Sequence, residues 1–109
     1  MPSQLLTDGG ADTIAPFVAI TSPANGSIIV GSTVVAATAS DNVGVVGVQF
    51  KLDGANLGAE VMNPPYARTW VPPVTASGQH VLTAVARDAA GNTRTSSAVS
   101  VIVIGRLAN

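Results

Sequence analysis

The sequence predicts an all-β protein, a sandwich of about seven strands, and three observations carry that expectation. Short runs of alternating apolar and polar residues recur along the 109-residue chain, placing one face of each run at a spacing of two. Turn signals separate these runs at intervals of about eight to twelve residues. No segment shows the apolar period of a helix, and seven Pro and eleven Gly work against long helices.

Each element follows in order. Residues 1–13 are polar and glycine-bearing and read as a linker remnant, poorly ordered at least to Gly10. The folded domain is expected over 14–105, with 106–109 as a C-terminal tail. A first strand over 17–21 puts Val18 and Ile20 on one face. Ser22-Pro23-Ala24-Asn25-Gly26 is a turn, because Pro fixes φ and Asn-Gly tolerates positive φ. A short strand over 28–30 stops at Gly31. The strand over 33–40 turns Thr33, Val35, Ala37 and Ala39 inward, and Asp41-Asn42 with Gly44 punctuates the chain after it.

The strand over 46–52 points Val46, Val48, Phe50 and Leu52 to the core, and Asp53-Gly54 suits a tight hairpin. Residues 57–61 read as a short edge strand, broken by Asn63-Pro64-Pro65. The next strand, 66–70, carries Tyr66, Arg68 and Trp70 on one face. Pro72-Pro73 ends it, and Ser77-Gly78 turns the chain into a strand over 80–87 with His80, Leu82, Ala84 and Ala86 aligned. A turn over 88–92 leads to a last strand over 95–104, with Val99, Val101 and Val103 inward.

Composition bounds the function. The apolar share is 47%, but Val and Ala carry it; two Phe, one Tyr and one Trp leave a thin core of small side chains. A chain of this length buries about two-thirds of its unfolded surface, which fits one domain. A net charge of −1 with 10% charged residues gives no field to steer nucleic acid or an anionic membrane, so neither is expected as a partner. No apolar run is long enough to span a bilayer. The first residues lack the basic start and apolar run of a signal peptide, so an exported parent would make this chain an excised piece. The absence of cysteine excludes disulfides, thiolate zinc sites and a cysteine nucleophile. No glycine loop follows a strand and opens a helix, and no element carries paired carboxylates. No catalytic constellation is visible, and no enzyme is expected.

Five segments, taken in chain order, match a known pattern. They are Ile20-Thr21-Ser22-Pro23-Ala24-Asn25-Gly26, then Ala37-Thr38-Ala39-Ser40-Asp41-Asn42-Val43-Gly44-Val45, then Val48-Gln49-Phe50-Lys51-Leu52-Asp53-Gly54. Pro65-Tyr66 with Trp70 follows, and Leu82-Thr83-Ala84-Val85-Ala86-Arg87-Asp88-Ala89-Ala90-Gly91-Asn92 completes the set. Together they resemble the bacterial immunoglobulin-like modules that lie between or after catalytic domains in secreted chitinases, other glycoside hydrolases and polyester depolymerases, and in some surface proteins. The resemblance spans residues 17–104. It implies an immunoglobulin-like or fibronectin-III-like antiparallel β-sandwich, secreted or at the bacterial cell surface. The function it implies is a non-catalytic spacer or stabilising module of a multidomain protein, with a polysaccharide-degrading enzyme as the expected parent and neighbouring domains as partners. A carbohydrate-binding module, with polysaccharide as partner, and an adhesin or surface-fibre repeat are the alternatives. Arg68 departs from the pattern, since members often carry a small or apolar residue there. An inward Arg needs a carboxylate or carbonyl partner, or must reach the rim with its stem packed.

The candidate sites divide by chemistry. His80 is the one histidine; a general base wants an adjacent nucleophile and an orienting carboxylate, and no Ser or Asp is placed by sequence to serve it. Lys51 and Glu60 are the single Lys and single Glu. An internal Lys–Asn isopeptide bond needs a buried Lys, whereas Lys51 alternates against Phe50 and Leu52 and points to solvent. Tyr66 and Trp70 are the candidates for stacking on a sugar, although the corresponding family positions pack inside.

Calcium is the remaining cofactor candidate. In an immunoglobulin-like topology, Asp41 and Asn42, Asp88 and Asn92, and Asp12 of the entry segment fall at one end of the sandwich. Three carboxylates with amide and carbonyl oxygens suit calcium, which takes six to eight oxygen ligands at about 2.3–2.6 Å. The alternative is that Asp41 and Asp88 only bond their own turn amides.

Overall fold

Val and Thr, whose branched side chains pack well on a pleated surface, fill the alternating runs, and these runs become strands. The computed structural model describes residues 12–73 and 75–104. The expected linker remnant up to residue 11 and the expected tail over 106–109 lie outside the described residues. Nine strands are present among them: β1 (Phe17–Ser22), β2 (Ser27–Ile29), β3 (Thr33–Ser40), β4 (Val45–Leu52), β5 (Ala55–Asn56), β6 (Tyr66–Trp70), β7 (Gly78–Asp88), β8 (Thr93–Thr95) and β9 (Val99–Val103). No helix among the described residues is long and apolar enough to cross a membrane.

The strands form a two-sheet, immunoglobulin-like sandwich. One sheet has the order β1-β3-β6; the other runs β2-β9-β7-β4-β5, with β8 also paired to β7. Pairing is antiparallel throughout except between β2 and β9, which run parallel. The core lies between the sheets, and its fully enclosed side chains include Val35, Val48, Phe50, Leu82 and Val101. Ala37, Ala84, Ala86, Val99 and Val103 are buried with them, so the alternation read from the sequence gives the inward faces of β3, β4, β7 and β9.

The structure corrects that reading at three places. Val46 is half-buried, because β4 and β7 slip register between Val45 and Gly47, and a bulge of this kind resets the strand phase. Residues 57–61 do not form an edge strand. The chain turns through Asp53 and Gly54, both at positive φ (51° and 87°), as a two-residue hairpin requires. It returns as the two residues of β5, and then meets β4 again through a single bridge in which the Val48 and Val61 amides and carbonyls pair at 2.9 Å. The last strand, finally, is two: β8 and β9 both pair with β7, and Ser96 lies between them.

Two side-chain ties hold the 57–61 segment in place. Arg87 Nε and Nη2 donate to Glu60 Oε2 and Oε1 at 2.7 and 3.0 Å, laying the carboxylate over Gly47, where a Cβ would collide with it. Arg68 keeps the inward strand phase but reaches the rim, where its Nη2 donates to the Ala59 carbonyl at 2.7 Å. That is the carbonyl partner an inward Arg needs.

Strand direction defines two ends. Val45 of β4 lies opposite Asp88 of β7 at one end, and Leu52 lies opposite Leu82 toward the other. The β3–β4 and β7–β8 turns therefore share the first end, with the entry segment at Asp12. The Asp53–Gly54 turn shares the second end with the start of β7 and with Val103 of β9, which pairs with Gly78.

Candidate metal centre

The two turns at the entry end are each built around an aspartate. Asp41 follows β3, and its Oδ2 accepts the Val43 and Gly44 amides at 3.1 Å each. Asp88 closes β7, and its Oδ1 accepts the Ala90 and Asn92 amides at 3.0 and 2.9 Å. The Asp88 amide and carbonyl pair with Asn92 and Gly91, and Gly91 at φ 92° makes the reversal. These are Asx turns. The entry segment repeats the device, with Asp12 Oδ1 accepting the Ile14 amide at 3.0 Å.

The three carboxylates converge. One oxygen from each of Asp12, Asp41 and Asp88 lies within 4.8 Å of the others. Two oxygens bound on opposite sides of a calcium ion stand about 4.6–5.2 Å apart, so the separation suits such a cation. Asp88 is 1% exposed. Asp12 Oδ2 and Asp41 Oδ1 are buried and have no hydrogen-bond partner among the described residues, a costly state for carboxylate oxygens. The ion pairs among the described residues, His80–Asp53 and Arg87–Glu60, bring no cation to this cluster. The turn reading and the cluster therefore coexist: Asp12 and Asp41 each spend one oxygen on their turn and keep the other buried without a partner among the described residues.

Electrostatics separates the members. The Ile14 amide lowers Asp12, but burial, the Asp88 carboxyl and the charge of Asp41 outweigh it and raise Asp12 above the usual carboxylate range; Asn42 moderates the rise. Burial raises Asp88, yet the Asn92 side chain, Asp12 and the Asn92 and Ala90 amides hold it below that range. Asn92 braces the cluster through its amide nitrogen. Its Nδ2 donates to the Asp12 carbonyl at 2.7 Å and to Asp88 Oδ2 at 2.9 Å, tying together residues 80 positions apart.

The other candidate residues lie elsewhere. Tyr66 and Trp70 are buried, at 8% and 4% exposure, and offer no face to a sugar; this corrects them as ligand-binding candidates. Lys51 is half-buried, and its register neighbour Asn56 is exposed, so the buried lysine of an isopeptide bond is not there. His80 has both ring nitrogens engaged, Nδ1 with Asp53 Oδ2 and Nε2 with the Ala76 carbonyl, each at 2.6 Å, and has no lone pair aimed at a nucleophile. Sequence reasoning missed the Asp53–His80 contact, because the two residues are 27 apart and only the fold brings them together. A surface groove of about 360 Å³ between β1 and β8 is lined by Ala15, Phe17, Val18 and residues 94–97.

The family model described as the bacterial Ig domain matches residues 16–84. The chain belongs to the bacterial Ig domain family. Its fold also matches solved structures. One, of the fibronectin(III)-like modules of CbhA from Clostridium thermocellum, is similar at a TM-score of 0.68 and 24% identity, over 81% of this Ig domain and 96% of that chain. Another, the endo-β-1,4-mannanase from Thermotoga petrophila, is similar at a TM-score of 0.69 and 16% identity, over 90% of this Ig domain. The Ig domain spans 22% of the mannanase chain, so the likeness is to one part of a larger protein. No curated protein matches.

Proposed function

We propose that this bacterial Ig domain is a non-catalytic spacer of a secreted multidomain protein, a polysaccharide-degrading enzyme, and that a calcium ion held by Asp12, Asp41 and Asp88 stiffens its entry end. The likeness to part of a mannanase chain supports the kind of parent. The observation that carries the reading is the convergence of the entry segment with two loops on one carboxylate cluster, two of whose oxygens are buried without a partner among the described residues. A cation would satisfy both oxygens, offset the mutual repulsion of three carboxylates, and fix the direction in which the chain enters the sandwich.

Thermal melting of the 109-residue chain in millimolar calcium and then in chelator tests the reading. Binding to the folded state alone raises stability by RT ln(1 + [L]/Kd), about 2.7 kcal/mol at a hundredfold excess over Kd. Asp41→Asn should abolish the increment. Equal melting temperatures in calcium and chelator would falsify the calcium site. Hydrolysis of mannan or chitin by the isolated chain, surviving repurification, would overturn the spacer role.

A further inference from the structure

His80 stands at the opposite end of the sandwich, where β7 begins, and its surroundings set its protonation state. Nδ1 lies 2.6 Å from Asp53 Oδ2 and Nε2 lies 2.6 Å from the Ala76 carbonyl. A neutral imidazole has one N–H to donate. A carbonyl oxygen accepts only, and the bond to His80, the Val81 amide and the imidazole charge hold Asp53 below the usual carboxylate range against the opposing effect of burial. The neutral ring can satisfy one of its two neighbours, and the imidazolium satisfies both.

Among the described residues, Asp53 is the charged group that acts on the ring. Trp70 from β6 stands edge-on to it, with ring centroids 6.1 Å apart and planes at 76°. Val101 of β9 is its register partner, and Ala76 belongs to the connection before β7. Asp53, from the β4–β5 turn, is the charged group against it, and Asp53 Oδ1 is fixed separately by the Val81 amide at 2.9 Å.

We infer that protonated His80 clips the Ala76 backbone to the Asp53 turn, and that this clip opens when rising pH takes the ring's proton, changing the surface at the end where β9 leaves the sandwich. On losing its proton the ring keeps one bond and forfeits the other. The Asp53 carboxylate and the Ala76 carbonyl raise His80 above its ordinary value of 6.5, against the downward effect of burial. A raised histidine contributes stability that is full below its unfolded value and lost as pH rises through its folded one, so the clip holds in mildly acid medium. Its location gives it consequence for a multidomain chain. His80 is two residues from Gly78, the partner of Val103 at the end of β9, so the change falls beside the chain's exit.

The chain has one histidine and one tryptophan, which makes the test direct. The His80 ring is titrated by NMR on the 109-residue chain from mildly acid to alkaline pH, while hydrogen exchange at the Ala76 amide and Trp70 emission are followed. The Ala76 amide donates to the Pro73 carbonyl at 2.9 Å and reports local order. The ring midpoint is expected above 6.5, with loss of Ala76 protection and a rise in Trp70 emission, as the quenching imidazolium disappears, at that same midpoint. Asp53→Asn keeps an oxygen for the Val81 amide and tolerates positive φ, and should shift all three transitions to lower pH. A ring midpoint at or below 6.5, or a higher midpoint that leaves Ala76 exchange and Trp70 emission unchanged, overturns the inference. If the variant does not fold, the titration of the parent chain alone decides.

Discussion

Ser96 and Ala84 exchange two hydrogen bonds across the break in the last strand. The Ser96 amide donates to the Ala84 carbonyl at 2.8 Å, and Ser96 Oγ accepts the Ala84 amide at 3.0 Å. A side-chain oxygen thus takes the place of a backbone carbonyl where β8 hands over to β9. The hydroxyl proton passes on to the Ser97 carbonyl at 3.0 Å. This explains why a polar residue only 8% exposed sits in the wall of the core.

Ser96→Ala should therefore leave the buried Ala84 amide without an acceptor. The expected loss is about 1–3 kcal/mol, read from urea denaturation of variant and parent. An unchanged midpoint would show that another acceptor serves Ala84.

The core makes a sharper contrast. Phe50 is fully buried and Phe17 is 57% exposed. Phe50→Ala should cost about 3–5 kcal/mol, a large part of the total of about 5–15 kcal/mol typical of a small domain. Phe17→Ala should stay within about 0.5 kcal/mol. Comparable losses from the two would contradict the strand phase assigned to β1 and β4.

That phase was legible because it is local. Alternation in 33–40 and 80–87 follows from side-chain sterics alone, and it correctly turned Val35, Ala37, Leu82 and Ala84 inward. The meeting of Asp12, Asp41 and Asp88 was legible from topology, because strand direction decides which turns share an end. Features set by partners were not. The Val45–Gly47 slip, the Ser96 break and the stand-off of 57–61 each depend on how a neighbouring strand pairs, which alternation within one strand does not show. Asn92 offered the same amide as a ligand or as a brace, and which group of it faces Asp12 depends on the folded geometry.

Gly58 tests one such partner. Its φ of 72° and its contact with the Arg68 guanidinium both depend on the missing Cβ. Gly58→Ala should lose about 1–2 kcal/mol from the left-handed backbone alone and more from displacing Arg68 from the Ala59 carbonyl. Adding Arg68→Ala should recover the steric part and leave the backbone part. A double variant whose loss equals the sum of the two single losses would show that Gly58 and Arg68 are not coupled.

The acidic cluster predicts opposite responses from two of its carboxylates. Asp88 is held below 3.8 in the folded state, because hydrogen bonds outweigh its burial. Its contribution is present above 3.8 and lost as pH falls through the folded value. Asp12 is raised above 3.8, so its contribution is present below 3.8 and lost as pH rises through the folded value. Without calcium at neutral pH, Asp88→Asn should lower the melting temperature, and the deficit should shrink as the medium is acidified. Asp12→Asn keeps an oxygen for the Ile14 amide and removes one charge from the cluster, so it should melt at or above the parent. With calcium the order reverses for Asp12, because the variant loses a charged ligand and gains less from the ion. Melting curves of the three proteins, with calcium and with chelator, read both effects. An Asp12→Asn protein that melts below the parent in chelator would show that the carboxylates do not strain one another.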